Sequence, residues 1–393
     1  MLFREAIQKR LPQAMNGASG AMLGLLDYKE EVAIKARALR DFLQSNGVEA
    51  SPEKVIESPK PRGYRTTTKR RVYADGSSVR LAFAEVDEDT DDAAATLEPD
   101  EHAAVYRFIG EMLSRPAFSV LAQSLNWIII RGSYRYRTVI FNVFRMDASV
   151  VRKLKIVAEH LQNECPAKVS AAHVYFDPKA SDYYLEASRP ADALAFKQLY
   201  GPRELSLDLG DFRLKYPVTG FSQINESQVP NFLATASKLL RMPSGCRFFD
   251  LYCGYGLFTF GIGSKAKETI GVEWEGPSVE AAKANAKFLH RGNARFITGC
   301  IDADFIRDRL PERSSLPEYV LLDPPRKGTA PGVIRELASR RPERVLHVFC
   351  GTDEIPRELY QWKSAGYALR TLQPLDMFPG TPHLETFCLL EHR

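Results

Sequence analysis

The sequence predicts an α/β fold: a C-terminal, doubly wound, Rossmann-like parallel sheet, preceded by an α+β domain. Two observations predict the sheet. From about residue 221, apolar strands alternate with amphipathic helices, which is the pattern of parallel strands joined by crossover helices. A glycine pair also follows the first of these strands, as in the tight turn that opens many doubly wound sheets. We therefore expect two domains, residues 1–215 and residues 216–393.

The N-terminal part mixes helices with short strands. Helical periodicity covers residues 29–44, and a second amphipathic helix covers residues 147–162, with Asp147 as its candidate cap. A hairpin is expected around Asp75-Gly76. Three further strands are expected, the last two of them paired, at residues 136–144, 171–177 and 182–188.

The C-terminal part is predicted element by element. Five apolar strands are expected at residues 246–253, 269–274, 294–300, 318–325 and 344–350. Helices are expected at residues 278–290, 331–340 and 354–366. Two closing strands, joined by a Pro/Gly turn, place one antiparallel strand in the sheet and cover residues 367–378 and 385–393. Ligands of such sheets bind at the carboxyl ends of the strands.

The composition is that of a globular protein with reduced thiols. Of the 393 residues, 45% are hydrophobic and 26% are charged, which is enough apolar material for a full core. The six cysteines include no C-x-x-C pair, which argues against a structural zinc site, an iron–sulfur cluster and a disulfide scaffold. No apolar run approaches the roughly 20 residues of a membrane span, and the N-terminus lacks a signal-peptide core. We expect a cytoplasmic protein that binds neither metal nor membrane.

Charge is unevenly distributed, although the net charge is only +4. Residues 59–71 carry six Lys and Arg side chains, and residues 85–101 are strongly acidic. Two interpretations stay open at this point. Both segments are solvated surface, or the basic one is a phosphate-binding patch with an acidic neighbour. In the second interpretation the candidate phosphate contacts are Arg65, Lys69 and Arg70.

A glycine loop and a downstream acid suggest a nucleoside cofactor. Gly254 and Gly256 allow a tight turn and a close approach of the backbone to a ligand. Thr259 replaces the third glycine of G-x-G-x-x-G, and no phosphate-binding lysine is present. Glu273 ends the next strand, where a carboxylate can accept hydrogen bonds from both ribose hydroxyls. S-adenosylmethionine therefore fits better than NAD; the alternative is an ordinary turn with a surface glutamate.

The cysteine at the end of strand 344–350 has two interpretations. Cys350 ends an apolar run and is followed at once by Gly351, so it is either a small buried hydrophobe or a thiolate at the mouth of a cleft. Asp323 ends the neighbouring predicted strand. Because ligands bind at this edge of the sheet, the position of Cys350 supports a functional thiol as well as a structural one.

Several segments, in order along the chain, carry a resemblance to a known family. They are "GFSQIN", "DLYCGYG", "GVEWEGPSVEAAKANA", "LLDPPRKG", and "HVFCG" paired with "LDMFPGTPHLETFCLL". The chain resembles the S-adenosylmethionine-dependent RNA 5-methyluridine methyltransferases, which methylate carbon 5 of a uridine in transfer or ribosomal RNA. The resemblance is dense from about residue 220 and looser upstream, through "YKEEVAIKARAL" and "SPKPRGYRTTTKRR".

The resemblance implies a role for the matched residues. It implies that Cys350 is the nucleophile and that Glu385 is the general base. The glycine loop and the resemblance together suggest as cofactor-binding residues Gln223, Tyr252, Gly254, Gly256, Glu273 and Asp323. The candidate contacts to the RNA, besides the three basic residues above, are Asp323, Arg326, Lys327, Phe378 and His383. The motifs do not distinguish transfer RNA from ribosomal RNA as the partner.

The chemistry explains why a thiol and a carboxylate are needed together. Carbon 5 of uracil is a poor nucleophile, and addition of a thiolate to carbon 6 makes it reactive. After methyl transfer, carbon 5 holds both a methyl group and a hydrogen. A base must remove that hydrogen before the thiol can be eliminated.

The chain also departs from the family pattern. Gly351 stands where the family usually has an asparagine after the cysteine, and Leu257 replaces the asparagine of the glycine loop. The segment from Asn16 to Tyr28 lacks the iron–sulfur cysteines of many members. We expect no N-terminal RNA-binding barrel, because the chain begins close to the central domain. The alternatives left open are a cytosine-C5 methyltransferase, a base amino-group methyltransferase, and an RNA-binding factor on a degenerate scaffold.

Overall fold

The computed structural model describes residues 1–11, 20–75, 78–83, 88–181, 195–274 and 276–393. Its helices are α1 (Phe3–Gln8), α2 (Tyr28–Ser45), α3 (Glu88–Ala95), α4 (Asp100–Leu113), α5 (Ser119–Ala122), α6 (Ala148–Asn163), α7 (Val229–Leu240), α8 (Leu257–Gly261), α9 (Gly276–Phe288), α10 (Ala303–Asp308), α11 (Val333–Ser339) and α12 (Ile355–Ser364). Its strands are β1 (Thr68–Asp75), β2 (Ser78–Ala82), β3 (Leu125–Gly132), β4 (Arg137–Val143), β5 (Ala171–Phe176), β6 (Ala195–Tyr200), β7 (Glu204–Asp208), β8 (Arg213–Pro217), β9 (Arg247–Leu251), β10 (Glu268–Glu273), β11 (Ala294–Thr298), β12 (Glu318–Leu322), β13 (Arg344–Phe349), β14 (Tyr367–Leu375) and β15 (Glu385–His392). Within these ranges, no helix has both the length and the hydropathy to cross a membrane.

The chain divides into two compact units. The first unit contains Met1–Pro61, Leu209–Lys215 and Gly220–Arg393. The second unit contains Arg62–Asp208 and Tyr216–Thr219. The sequence suggests one boundary, at residue 215, whereas each of these units is made of separate segments of the chain. The assignment of RNA binding to residues 1–215 and of methyl transfer to residues 216–393 stays a prediction.

The first unit is built on a seven-stranded sheet with the strand order β11-β10-β9-β12-β13-β15-β14. Strands β9 to β13 pair in parallel, and β15 pairs antiparallel with both β13 and β14. The predicted doubly wound sheet with a terminal antiparallel hairpin is therefore confirmed. The order of connection reverses between β9 and β12, so the crevice of the sheet opens at the carboxyl ends of these two strands.

The first 61 residues belong to this unit because their helices share its core. Helix α2, predicted at residues 29–44, begins after its N-cap Asp27 and buries Leu39 and Phe42 on one stripe. These side chains lie in the same hydrophobic cluster as Val345 of β13 and Leu390 of β15. The amphipathic pattern predicted the helix, but it carried no information about which part of the chain would cover its apolar stripe.

The second unit contains a six-stranded sheet with the order β2-β1-β3-β4-β5-β6, and α4, α5 and α6 share a core with one face of it. The strand predicted at residues 136–144 and the helix predicted after Asp147 are both present. The Asp147 side chain accepts from Ser149 N–H at 2.9 Å and from Val150 N–H at 3.0 Å. β1 and β2 pair antiparallel as expected. The tip of their hairpin (76–77) and the strand predicted at 182–188 lie outside the described residues.

Candidate active site

The glycine loop is tied down by a buried carboxylate at the end of β9. Oδ2 of Asp250 accepts hydrogen bonds from the Thr259 N–H at 2.7 Å and from its hydroxyl at 2.6 Å. Thr259, in the place of a third glycine, thus anchors α8 to β9. Gly256 has a φ of +94°, and a Cβ there would lie 2.4 Å from the Phe260 ring. Residue 256 must therefore be glycine in this loop.

Glu273 lies against this loop from the end of β10. Its Oε2 accepts from Gly254 N–H at 3.0 Å, and its Oε1 accepts from Trp274 N–H at 2.7 Å. A Cβ on Gly254 would have no atom within 4 Å, so the space over the loop is open. A carboxylate beside open space at the crevice of a doubly wound sheet fits the ribose of a nucleoside cofactor. Trp274 follows this acid directly and has an aromatic ring that is 56% exposed, and no sequence motif indicated it.

Tyr252 and Gln223 are the other predicted cofactor contacts. Tyr252 has a φ of +66°, a left-handed conformation that costs a non-glycine residue roughly 1–3 kcal/mol and persists only where the surroundings impose it. Burial, followed by the charges of Glu358 and other acidic neighbours, raises the pKa of Tyr252, so its phenol is a hydrogen-bond donor. Gln223 is 9% exposed and lies in the turn that leads to α7.

Cys350 directly follows β13, and Glu385 is the first residue of the neighbouring strand β15. β13 and β15 pair antiparallel, with Phe349 opposite Thr386. The next step of this register places Cys350 opposite Glu385, and opposite residues of such a pair have Cβ atoms about 4.5–5.5 Å apart on one face. Cys350 is partly exposed, whereas Glu385 is 2% exposed. The register of β13 and β15 therefore brings the two predicted residues to the same place in the sheet.

Three acidic groups share this edge of the sheet. Burial, followed by the charges of Glu385 and Asp323, raises the pKa of the Cys350 thiol, and Arg326 opposes that rise. Burial and Asp323 raise the pKa of Glu385 well above its ordinary value. Burial and two nearby carboxylates raise the pKa of Asp323 to about 7. These groups cannot all ionise together at neutral pH, so protons are retained beside the thiol.

We expect Asp323→Asn to stabilise the folded protein at pH 8 and to leave its stability unchanged at pH 4. The pKa of Asp323 is about 7 in the folded protein and 3.8 ordinarily, so the folded state binds the proton more tightly. Stability therefore falls as the pH rises through this interval, and asparagine removes that loss, with a gain of up to roughly 4 kcal/mol. Urea unfolding at both pH values measures it. The exposed Asp211→Asn is the control; an equal gain at both pH values would contradict the assigned pKa.

A second buried carboxylate, Glu358 of α12, holds the Asp-Pro-Pro loop that follows β12. Its Oε1 accepts from Thr329 N–H at 2.7 Å and from the Thr329 hydroxyl at 3.0 Å. Its Oε2 lies 3.1 Å from Nε2 of His347 on β13, and Trp362 donates to Nδ1 of that histidine at 3.2 Å. Burial lowers the pKa of His347, so the ring stays neutral at pH 7. The strand that ends in Cys350 is thus connected to the loop that begins at Asp323, and no sequence motif pointed to Glu358.

Gly351, the departure from the family pattern, lies against the backbone of the same loop. A Cβ at this position would be 2.3 Å from the carbonyl oxygen of Arg326. The φ of Gly351 is −103°, so space and not torsion excludes a side chain. The loop after Asp323 therefore packs closer to Cys350 than an asparagine at 351 would allow.

The remaining candidates of the first unit lie on two loops. The rings of Phe378 and His383, between β14 and β15, meet edge to face with centroids 6.3 Å apart. Arg326 and Lys327 are exposed, and Arg357 donates to the Lys327 carbonyl at 3.0 Å. Within the described ranges, no group of three or more His, Cys, Asp or Glu side chains is arranged to hold a metal ion.

The three predicted basic contacts belong to the second unit and do not form one patch. Arg70 is 2.8 Å from Glu98 in a mostly buried ion pair, and Arg65 adds to the positive charge near that carboxylate. Lys69 is exposed, and its ammonium lies 4.6 Å from the centre of the Trp127 ring. Neighbouring residues of a strand point to opposite faces, so Lys69 and Arg70 cannot contact one phosphate track from the same face of β1.

Comparison with known proteins assigns the family. The family model described as tRNA (uracil-5-)-methyltransferase matches residues 185–393. The chain belongs to this family. The resemblance found in the sequence motifs is therefore confirmed, and the matched region contains the glycine loop, Cys350 and Glu385.

Individual relatives are more distant. An uncharacterized RNA methyltransferase of Clostridium tetani is 24% identical, over 95% of this chain and 80% of its own length. A 23S rRNA (uracil(1939)-C(5))-methyltransferase of Vibrio vulnificus is 34% identical, but over only 46% of this chain and 40% of its own length. The structure of Pyrococcus abyssi tRNA (uracil-54, C5)-methyltransferase in complex with S-adenosyl-L-homocysteine has a TM-score of 0.66 at 18% identity, over 94% of this chain and 85% of that chain. That similarity shows a shared fold.

Proposed function

We propose that this protein methylates carbon 5 of a uridine in RNA, with Cys350 as the nucleophile and Glu385 as the base. The observation that carries the proposal is the register of β13 and β15, which pairs Phe349 with Thr386 and, continued by one residue, sets Cys350 opposite the buried Glu385. A base amino-group methyltransferase would need neither residue. The proposed substrate is transfer or ribosomal RNA, in line with the names of the Pyrococcus and Vibrio relatives.

The proposed methyl donor is S-adenosylmethionine, which supplies an electrophilic methyl group on its sulfonium. Its proposed contacts are Gln223, Tyr252, Gly254, Gly256, Glu273 and Asp323. The support is the Glu273 carboxylate beside open space over Gly254, and the complex that the Pyrococcus relative forms with S-adenosyl-L-homocysteine. All six cysteines are free thiols, in agreement with the cytoplasm as the proposed place of action.

Cys350 begins the reaction on the uracil ring. Its thiol proton passes to a neighbouring carboxylate, for which Asp323 is suited by its pKa of about 7. The sulfur then bonds to carbon 6, and the electron pair of the ring double bond moves into an enolate over carbons 5 and 4 and oxygen 4. Carbon 5 is then nucleophilic and would take the methyl group from a bound sulfonium, whose bond to that methyl breaks to leave a neutral thioether.

Glu385 completes the reaction. Its carboxylate removes the hydrogen that remains on carbon 5, the double bond between carbons 5 and 6 forms again, and the bond from carbon 6 to sulfur breaks. A carboxyl whose pKa is raised is a stronger base when it does ionise, which suits it to this step. The uridine must leave its stack to reach Cys350, at a cost of a few kcal/mol that is smallest in an unpaired loop.

Nucleoside mass spectrometry tests the proposal. RNA from cells with and without the gene is digested, and 5-methyluridine is quantified separately in transfer RNA and ribosomal RNA. We expect the 5-methyluridine content of one of these two RNA classes to fall without the gene. Calorimetry with S-adenosylmethionine distinguishes an enzyme from an RNA-binding factor on the same scaffold: unchanged 5-methyluridine together with no cofactor binding would contradict the proposal and favour the binding factor.

We expect Gly351→Ala to lower the rate of methylation by at least about tenfold. Its Cβ would lie 2.3 Å from the Arg326 carbonyl oxygen and push the loop away from Cys350, and a displacement of about 1 Å can cost ~100-fold. Single-turnover kinetics measure the rate. Gly276→Ala is the matched control, because its Cβ meets no atom within 4 Å. Equal rates for the two variants would show that close packing at Gly351 is not needed.

We expect Lys69→Glu to weaken RNA binding and to flatten its dependence on salt, if the second unit contacts phosphate as proposed. An exposed lysine that binds a phosphate contributes about one unit to the salt slope. Filter binding at several salt concentrations measures both quantities. Lys155→Glu is the control. Lys155 is exposed on α6, and α6 packs against the face of the sheet opposite to that of Lys69. Unchanged affinity in Lys69→Glu would remove this residue from the proposed interface.

A further inference from the structure

A fully buried cluster of three charges connects α2 to the loop ahead of Glu385. Lys35 Nζ lies 2.8 Å from Oδ1 of Asp376 and 2.8 Å from Oε1 of Glu31, and all three side chains are 0% exposed. Burial alone would lower the pKa of Lys35, but the two carboxylates outweigh burial and the pKa is raised. The ammonium of Lys35 is therefore charged at neutral pH.

The cluster holds the backbone of the loop as well as its one acidic side chain. Lys35 donates its third hydrogen bond to the Phe378 carbonyl at 3.1 Å, and Oε1 of Glu31 accepts from the Gly380 N–H at 2.5 Å. Tyr28 donates to Oδ2 of Asp376 at 3.2 Å. A loop carbonyl and a loop N–H two residues apart are thus both bound by α2.

The same loop is bound from the turn that contains Gln223. Asn225 donates to the Met377 carbonyl at 3.2 Å, and Gln228 donates to the Asp376 carbonyl at 3.1 Å. The backbone direction at residues 376–380 is therefore set by side chains from two distant parts of the chain. Such an arrangement costs desolvation that an apolar cluster would avoid, which suggests that a defined loop position is what it provides.

The loop position decides where Glu385 lies. Leu375, immediately before the loop, is the register partner of Glu385 at the closed end of the β14–β15 hairpin. Oε2 of Glu385 is buried and has no hydrogen-bond partner in the described part of the chain, so its own contacts do not orient that oxygen. The direction of the Glu385 carboxyl consequently depends on the backbone of β15 and of the loop that precedes it.

We propose that Lys35, together with Glu31, is a positioning residue for Glu385, which it sets by fixing the loop 376–380. This inference rests on the proposed function. It predicts a defect in one step, the removal of the carbon 5 hydrogen, and therefore accumulation of the covalent protein–RNA adduct. We expect cofactor affinity to be unaffected, because Lys35 contacts Glu31, Asp376 and the Phe378 carbonyl, whereas the glycine loop is bound by Asp250 and Glu273.

The test compares the amount of covalent adduct that accumulates with the amount of product that forms. The substrate is bulk RNA from cells that lack the gene, with S-adenosylmethionine labelled in its methyl group. Labelled methyl retained on denatured protein measures the adduct, and 5-methyluridine measures the product. Lys35→Met leaves two buried carboxylates without their cation and can fail to fold. The double variant Lys35→Met/Asp376→Asn keeps the net charge of the cluster, because one cation and one anion are removed together.

The double variant is expected to raise the ratio of adduct to product at least about tenfold, with an unchanged dissociation constant for S-adenosylmethionine by calorimetry. Glu318→Gln is the matched control. It disturbs a buried carboxylate that is 2.7 Å from Arg340 and 3.4 Å from Arg247, at the amino end of β12 and so at the opposite edge of the sheet. It is expected to lower stability and leave the ratio unchanged.

Two results overturn the inference: a ratio in the folded double variant equal to that of the parent, or an equal rise in Glu318→Gln, which would show that general destabilisation slows the step. Glu385→Gln and Cys350→Ala separate this from failure of the proposed function. If Glu385→Gln accumulates adduct and the Lys35 double variant does not, the positioning role alone is refuted. If the parent forms no 5-methyluridine and neither it nor Glu385→Gln forms a Cys350-dependent adduct, the proposed function itself is refuted.

Discussion

Cys350→Ala is expected to abolish both 5-methyluridine formation and the covalent protein–RNA adduct. The thiol is the only group placed to add to carbon 6 in the proposed mechanism, and without that addition carbon 5 does not become nucleophilic. Because burial raises the pKa of Cys350, the thiolate forms only when a neighbouring carboxylate accepts its proton. Serine cannot substitute, since a hydroxyl is a far weaker acid than a thiol, so Cys350→Ser is expected to be equally inactive.

The measurement is incorporation of labelled methyl groups into bulk RNA from cells that lack the gene, with the adduct followed on a denaturing gel. Cys165→Ala is the matched control, a partly exposed cysteine of the second unit that should retain full activity. Calorimetry shows whether the alanine variant still binds S-adenosylmethionine, as it should. Full activity in Cys350→Ala would refute the nucleophile, and with it the mechanism.

Glu385→Gln is expected to lower product formation by roughly 10²–10⁴-fold and to accumulate the methylated adduct. Glutamine keeps the shape of the side chain and cannot take a proton from carbon 5. Addition of Cys350 and methylation of carbon 5 still occur, but elimination does not, so the protein stays bonded to carbon 6. The labelled methyl group is then retained on the denatured protein.

Glu391→Gln serves as the control on the same strand, because Glu391 lies near the far end of β15 and pairs there with Arg344 at 2.9 Å. It should neither trap an adduct nor change the rate. The double variant Cys350→Ala/Glu385→Gln should form no adduct, which ties the trapped species to the sulfur of Cys350. Adduct-free loss of product in Glu385→Gln would assign this residue to an earlier step than hydrogen removal.

Local pattern predicted most of the first unit's sheet. The strand–helix alternation from residue 221 depends on side-chain periodicity, which is a property of neighbouring residues, and each predicted strand from β9 to β15 is present. The sequence also predicted the glycine loop, because glycine at residue 256 is required by its own backbone conformation and by the Phe260 ring beside it.

The sequence pattern did not predict contacts between distant segments of the chain. The first 61 residues join the first unit through the apolar stripe of α2, and an apolar stripe does not specify what covers it. Lys35 lies within the helix predicted at residues 29–44, but its full burial between Glu31 and Asp376 depends on a residue more than 300 positions away. Glu358 and Thr259 became meaningful only through their partners, Thr329 and Asp250.

By itself, the sequence determined the fold class and the family, because both are carried by short patterns and motifs whose meaning is local. The position of Cys350 opposite Glu385 depends on the register between β13 and β15, continued by one residue beyond Phe349 and Thr386. The basic segment likewise divided only in the structure, where Arg70 pairs with Glu98 and Lys69 stays exposed. Register, burial and charge pairing arise from long-range packing, and for that reason only the tertiary structure decided them.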